Sequence, residues 1–202
     1  MHGAQFDIPL HEEREEKHVL KSQNYDFQLK FKQSTFRKHI SNLQKLNVTQ
    51  IDFGLYQPYD ADIIEEKDAK IYSTFFTLQG HSDEIQNVKH YFHSTIKVFN
   101  GGGKVSEVNI EEDLHISHEN KVPGTLQDTI EPMVPNFKNM KQLFCERFKA
   151  KLLEHCTKNL DKSDMTIRLT TKCPLTLEFK VGDRNYIHFI LAPMKKEEEG
   201  EI

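Results

Sequence analysis

Residues 25–47 read YDFQLKFKQSTFRKHISNLQKLN. The first eight alternate, with Tyr25, Phe27, Leu29 and Phe31 on one side and Asp26, Gln28, Lys30 and Lys32 on the other. A period of two with one apolar face predicts a half-buried strand. From Ser34 the period changes. Phe36, Ile40, Leu43 and Leu46 recur at helical spacing and give a helix one apolar face. Ser34 or Thr35 is placed to cap that helix. Opposite the apolar face lie Lys38, Ser41, Asn42 and Lys45. No Asp or Glu occurs between Phe27 and Ile51, whereas Lys30, Lys32, Arg37, Lys38 and Lys45 do. One side of this helix therefore enters a core, and the other presents amines and small polar groups.

The surrounding chain extends the pattern. Three strand-like runs follow at 48–56, 70–78 and 88–99, with a polar, acidic loop around Pro58 and Glu65-Glu66 between the first two. The second half repeats the order. Residues 105–118 are extended and alternating, and a linker passes Pro123, Pro132 and Pro135. Residues 136–156 then place Phe137, Met140, Phe144, Phe148 and Leu152 at helical spacing. Strands at 164–171, 174–181 and 185–192, joined by a few residues each, predict an antiparallel meander. Each half reads as strand, helix, then three strands. The expectation is an α+β domain of two βαβββ units, about 25–99 and 105–192, with antiparallel sheet on one side and two helices on the other. The second helix is also basic, with Lys138, Lys141, Arg147, Lys149 and Lys151 against Glu146 and Glu154. Two basic helices in a chain of net charge -4 predict a local surface for a polyanion, bound through phosphates without regard to sequence.

Composition narrows the alternatives. Apolar residues are 37% and charged residues 29%, too apolar for disorder, and fourteen Phe with no Trp supply the bulk of a core. No apolar run approaches the ~18 residues of a membrane span, and the first residues lack the apolar stretch of a secretory signal. Cys145, Cys156 and Cys173 are odd in number and scattered, which argues for a reducing compartment; the first two are expected on the second helix. Asn100-Gly101-Gly102-Gly103-Lys104-Val105 lacks the earlier glycine and the following Ser/Thr of a phosphate loop and reads as a turn. His90/His93 and His115/His118 lie three apart on strands, so each pair points to opposite faces and chelates poorly; no metal and no cofactor are expected. No nucleophile elbow and no paired acid and base appear, so no catalytic residues are assigned and the chain is read as a non-enzyme.

The stretch from Asp164 to Glu201, DMTIRLTTKCPLTLEFKVGDRNYIHFILAPMKKEEEGE, resembles the C-terminal end of the eukaryotic sliding clamp family, proliferating cell nuclear antigen. Pro174, Leu191-Ala192-Pro193 and Glu197-Glu198-Glu199 fall in register with it. YDFQLKFKQSTF before a basic helix resembles the start of that family's second domain, and Ile8-Pro9 the end of its interdomain connector. The resemblance covers roughly 5–55 and 130–200. It implies a connector remnant at 1–16, one clamp-fold domain at 17–195 and an acidic tail at 196–202. It implies a processivity factor that encircles duplex DNA, with Arg37, Lys38, Lys45, Lys141, Arg147, Lys149 and Lys151 facing phosphates. A pocket of Ile8, Pro9, Pro174, Ile190, Ala192 and Pro193 would take peptides carrying a glutamine and aromatic anchors. The implied partners are DNA polymerase and other peptide-motif proteins, a clamp loader, and further subunits in a ring, in the nucleus or a viral replication compartment. Residues 88–99 are the candidate edge for subunit joining. The family carries two domains per chain and this one matches the second alone, with extra length at 10–23 and 57–130. A ring would then need six copies or a companion subunit, or else a trimer of longer chains. The alternatives are a checkpoint-type clamp subunit, or a clamp-derived viral transcription or interaction module that does not encircle DNA.

Overall fold

In the computed structural model the alternation at the start of the domain gives strand β1 (Phe27–Lys32), which runs without a loop into helix α1 (Gln33–Lys45). The structure describes residues 25–82, 88–101, 104–118, 135–158, 164–181 and 185–194, with the backbone alone over 112–118. After α1 come β2 (Gln50–Pro58), β3 (Ile63–Glu66), β4 (Ala69–His81), β5 (Val88–Phe99) and β6 (Ser106–His118). A 3₁₀ turn (Phe137–Asn139) leads to β7 (Met140–Lys149), α2 (Ala150–Thr157), β8 (Asp164–Leu169), β9 (Leu175–Val181) and β10 (Asn185–Leu191). The fold is mixed and mostly β: a curled sheet and two helices.

The sheet order is β10-β9-β8-β1-β6-β5-β4-β2-β7, with β3 pairing only with β4. Two units are visible in it, β1-α1-β2-β4-β5 and β7-α2-β8-β9-β10. Each gives its first strand to the other: β1 pairs antiparallel with β8, and β7 antiparallel with β2. β6 joins the halves, parallel to β1 and antiparallel to β5. The helices lie head to tail. Gln33 Nε2 at the start of α1 donates to the Thr157 carbonyl at the end of α2 (2.8 Å), and the Ala150 N–H donates to the Thr49 carbonyl just past α1 (3.0 Å).

Five expectations need correction. Residues 140–149 are strand, so only the last third of the expected second helix is helical, and Cys145 lies on β7. Phe144, Glu146 and Phe148 are buried on alternate positions while Cys145 and Arg147 face the other way. The unit that contains α2 therefore begins at β7, not at 105. The acidic loop at 63–66 forms β3, whose Ile63 and Ile64 are exposed. Residues 88–99 are no edge, because β5 lies between β4 and β6. The end strands of the sheet are β10 and β7. Finally, neither Ser34 nor Thr35 caps α1; the capping position is Lys32, with no side-chain cap.

Core rings meet edge-on in a connected set: Phe31–Phe36 at 5.6 Å, Phe36–Phe53 at 6.0 Å, Phe53–Phe76 at 5.9 Å and Phe53–Phe148 at 5.3 Å. Edge-to-face contact adds about 1 kcal/mol per pair to the gain from burial. Phe36, Ile40 and Leu43 anchor α1 and are at most 1% exposed, each contributing about 2 kcal/mol by leaving water. The helix ends where Asn47 takes φ 56°. Asn47 N–H then donates to the Gln44 carbonyl (2.9 Å) and Val48 N–H to that of Leu43 (3.3 Å), and the two bonds satisfy carbonyls left open by the last turn. Gly80 on β4 makes room for this end. A Cβ there would stand 2.7 Å from Val48 Cγ2 and 3.1 Å from Leu43 Cδ2. Gly80→Ala is expected to cost about 1–3 kcal/mol in urea unfolding through overpacking. A variant as stable as the parent would show that the helix end is not pinned there.

Candidate functional site

Strand alternation gives the sheet a core-facing side, on which both helices pack, and an outer side. The helix layer carries its own solvent face. Along α1, Ser34, Lys38 and Lys45 are exposed, and Arg37, Ser41 and Asn42 are partly exposed. Along α2, Lys151, Leu152 and His155 are exposed, with Lys158 just beyond. Glu154 is the one carboxylate in the two helices, and Gln44 Nε2 donates to its Oε2 at 3.0 Å across the helix pair.

The two strand-to-helix junctions match each other closely. Lys32 (φ -72°, ψ 123°) precedes α1 and Lys149 (φ -71°, ψ 122°) precedes α2, and neither makes a side-chain cap. A cation at a helix N-terminus opposes the helix dipole and costs a few tenths of a kcal/mol, up to about 1. Lys32 and Lys158 were not singled out as site residues from sequence. The signal for Lys32 lay in the abrupt change of period after it.

Of the seven cations expected at one surface, Arg37, Lys38, Lys45 and Lys151 lie on the helix layer and Lys149 at its margin. Arg147 and Lys141 do not join them, because they lie farther back along β7, away from the start of α2. Arg147 lies on the outer face, where Nε donates to Asp52 Oδ1 (2.6 Å) and Nη2 to Asp52 Oδ2 (3.0 Å). His81 Nε2 lies 2.7 Å from the same Oδ2. Lys141 lines a cleft of about 310 Å³ with Phe27, Gln57, Tyr72, Ile96 and Leu143.

Of the peptide-pocket residues, Ile8 and Pro9 lie outside the described residues, as do the expected connector and acidic tail. Pro174, Ile190 and Ala192 come together, while Pro193 precedes Met194, whose N–H donates to the Arg147 carbonyl of β7 (2.8 Å). Ile190 stands opposite Thr176 and Leu191 opposite Leu175, so Ala192 and Pro174 fall next along the same two strands. Leu191 is buried while Ile190 is 42% exposed, which puts the patch on the outer face. The Tyr25 hydroxyl, 3.1 Å from Thr176 Oγ1, adjoins it.

The outer face also carries an aromatic group that sequence reading missed. Phe137 lies 5.3 Å from Tyr56, 5.9 Å from Phe75 and 5.8 Å from Tyr91, with the Lys89 amine 4.5 Å from its ring centre. These residues come from three strands and a turn, so no single run of sequence reveals them.

No helix among the described residues is long and apolar enough to cross a membrane. No family model matches the chain, and no curated protein matches it significantly.

The Asp52 cluster makes a separate claim about stability. Burial alone would raise the Asp52 carboxyl, but hydrogen bonds from His81 and Arg147, and their charges, outweigh it and bring the pKa down to about 2 from 3.8. The carboxylate thus stabilises the fold above pH 3.8, and this contribution is lost as pH falls toward 2. It is worth roughly 2 kcal/mol. Asp52→Asn is expected to lower stability at pH 7 by about that amount and to remove the loss in this window. Urea midpoints from pH 7 to 2 check it; parallel curves for parent and variant would contradict it.

Proposed function

We propose that the chain is a clamp-type domain of a DNA polymerase processivity factor. It holds duplex DNA against its helix layer, without sequence preference, and recruits peptide-bearing partners on the opposite face. The observation that carries this reading is the solvent side of α1 and α2. It presents Lys38, Lys45 and Lys151, and the pair's single carboxylate is engaged by Gln44.

Two βαβββ units with helices to one side and sheet to the other agree with the resemblance of residues 164–201 to the sliding clamp family. So does the gathering of Pro174, Ile190 and Ala192 on the outer face. The open strand for joining a neighbouring domain is β10, whose Tyr186, Ile187 and Ile190 are exposed at the end of the sheet. An uncovered strand of this kind is a ready template for another chain. A second reading, a clamp-derived module that binds proteins and no DNA, is favoured by the placement of Arg147 and Lys141 away from the helices.

The test is a charge reversal on the helix layer, Lys38→Glu with Lys45→Glu and Lys151→Glu. It is compared with an outer-face control, Lys30→Glu with Lys180→Glu. Affinity for duplexes of unrelated sequence at about 50 mM salt should fall at least ~10-fold in the first and little in the second, with a shallower salt slope in the first. Equal binding by the helix-layer variant and the parent would overturn the DNA-facing role. A parent that binds no duplex but captures glutamine- and aromatic-bearing peptides would favour the second reading.

A further inference from the structure

One residue on the buried side of α1 is packed like a hydrophobe yet can titrate. His39 is 2% exposed. Its ring meets His90 on β5 edge-on at 5.3 Å and Phe92 at 5.0 Å. Its Nδ1 has no hydrogen-bond partner. A proton added at Nδ1 would place a charge against aromatic rings at an atom with no hydrogen-bond partner, a cost the fold avoids by opening.

We propose that His39 makes the seat of α1 acid-releasable, so that the helix lifts from β5 on protonation while the sheet stays folded.

Among the described residues, the groups facing the ring offer the proton no counter-charge, and Glu154, the one carboxylate of α2, is bound by Gln44. Lys38 is the next residue, and Arg37 and Lys45 lie on the same helix. On β5 the facing group is His90, while Lys89 and His93 belong to the other face. The core-facing residues of β4 alongside are Phe76, Leu78 and Gly80. On β6 the register places Ile116 opposite His90 and His118 opposite Val88. None of these is a carboxylate.

Burial first, and the Lys38 charge second, lower the His39 pKa to about 4 from 6.5. An imidazole freed by local opening would titrate near 6.5. The closed helix is therefore favoured above pH 6.5, and that preference is lost progressively as pH falls toward 4. At pH 5 the open form should gain roughly thirtyfold over its weight at pH 7.5. The lifting does not depend on the DNA reading; only its consequence, the loss of an ordered cationic layer in acid, rests on it.

Hydrogen exchange on the purified chain at pH 7.5, 6 and 5, corrected for intrinsic rates, reads this directly. Protection of α1 amides should fall about tenfold or more while β2 and β4 amides hold. His39→Phe, which keeps the ring packing, should abolish the difference. An α1 whose protection is flat, or falls in step with the sheet, overturns the proposal, as does a His39→Phe protein with the parent's acid response. Should that variant fail to fold, the imidazole of His39 followed by NMR in the parent decides. A midpoint below pH 5 supports the mechanism, and one at 6 or above rejects it.

Discussion

The seat of α1 is the constraint that fixes the helix layer over the sheet. Phe36 inserts between Phe31 of β1 and Phe53 of β2, strands that belong to opposite halves of the sheet. The helix end is fixed by the Asn47 turn, and Val48 and Leu43 pack into the space left by Gly80. Once α1 is held there, its head-to-tail contact with α2 sets the second helix, and the exchange of β1 and β7 locks the two units together. Neither unit completes its sheet without a strand from the other.

This arrangement separates two surfaces by a layer of phenylalanine. On the helix side the cations are spread along exposed stripes and the one acid is occupied, which leaves a diffuse positive field suited to a polyanion. On the sheet side two clusters of charge are consumed locally. Asp52 holds Arg147 and His81, and Glu178 holds Arg168 at 2.9 Å with His188 at 3.3 Å. Around Phe137 and around Ile190 the outer surface is aromatic and aliphatic, while Lys30 and Lys180 stand exposed on β1 and β9. The division is what the proposed reading, one polyanionic partner on the helices and peptide partners on the sheet, would require.

Much of this was legible in the sequence where alternation was clean, as in β1, β5 and β8–β10, and in the change of period that starts α1. β7 was not, for a physical reason. Its core-facing positions are Phe144, Glu146 and Phe148, and the acid in the middle hides the period of two. Glu146 is tolerated because its Oε1 accepts the backbone N–H of Lys172, itself in a turn at φ 62°. At the same time Met140, Phe144 and Phe148 fall four apart and imitate a helix. Misreading β7 moved Arg147 and Lys141 to the wrong surface. Arg147's partner, Asp52, is distant in the chain, so only the β2–β7 pairing reveals that its charge is spent. β3 escaped notice because it buries neither face.

The central claim is that the polyanion meets the helices and not the sheet, and amine labelling read lysine by lysine tests it most directly. With saturating duplex DNA present, Lys38, Lys45, Lys149 and Lys151 are predicted to lose reactivity while Lys30 and Lys180 on the outer face keep theirs. Protection of Lys30 and Lys180 with the helix lysines still reactive would contradict the account.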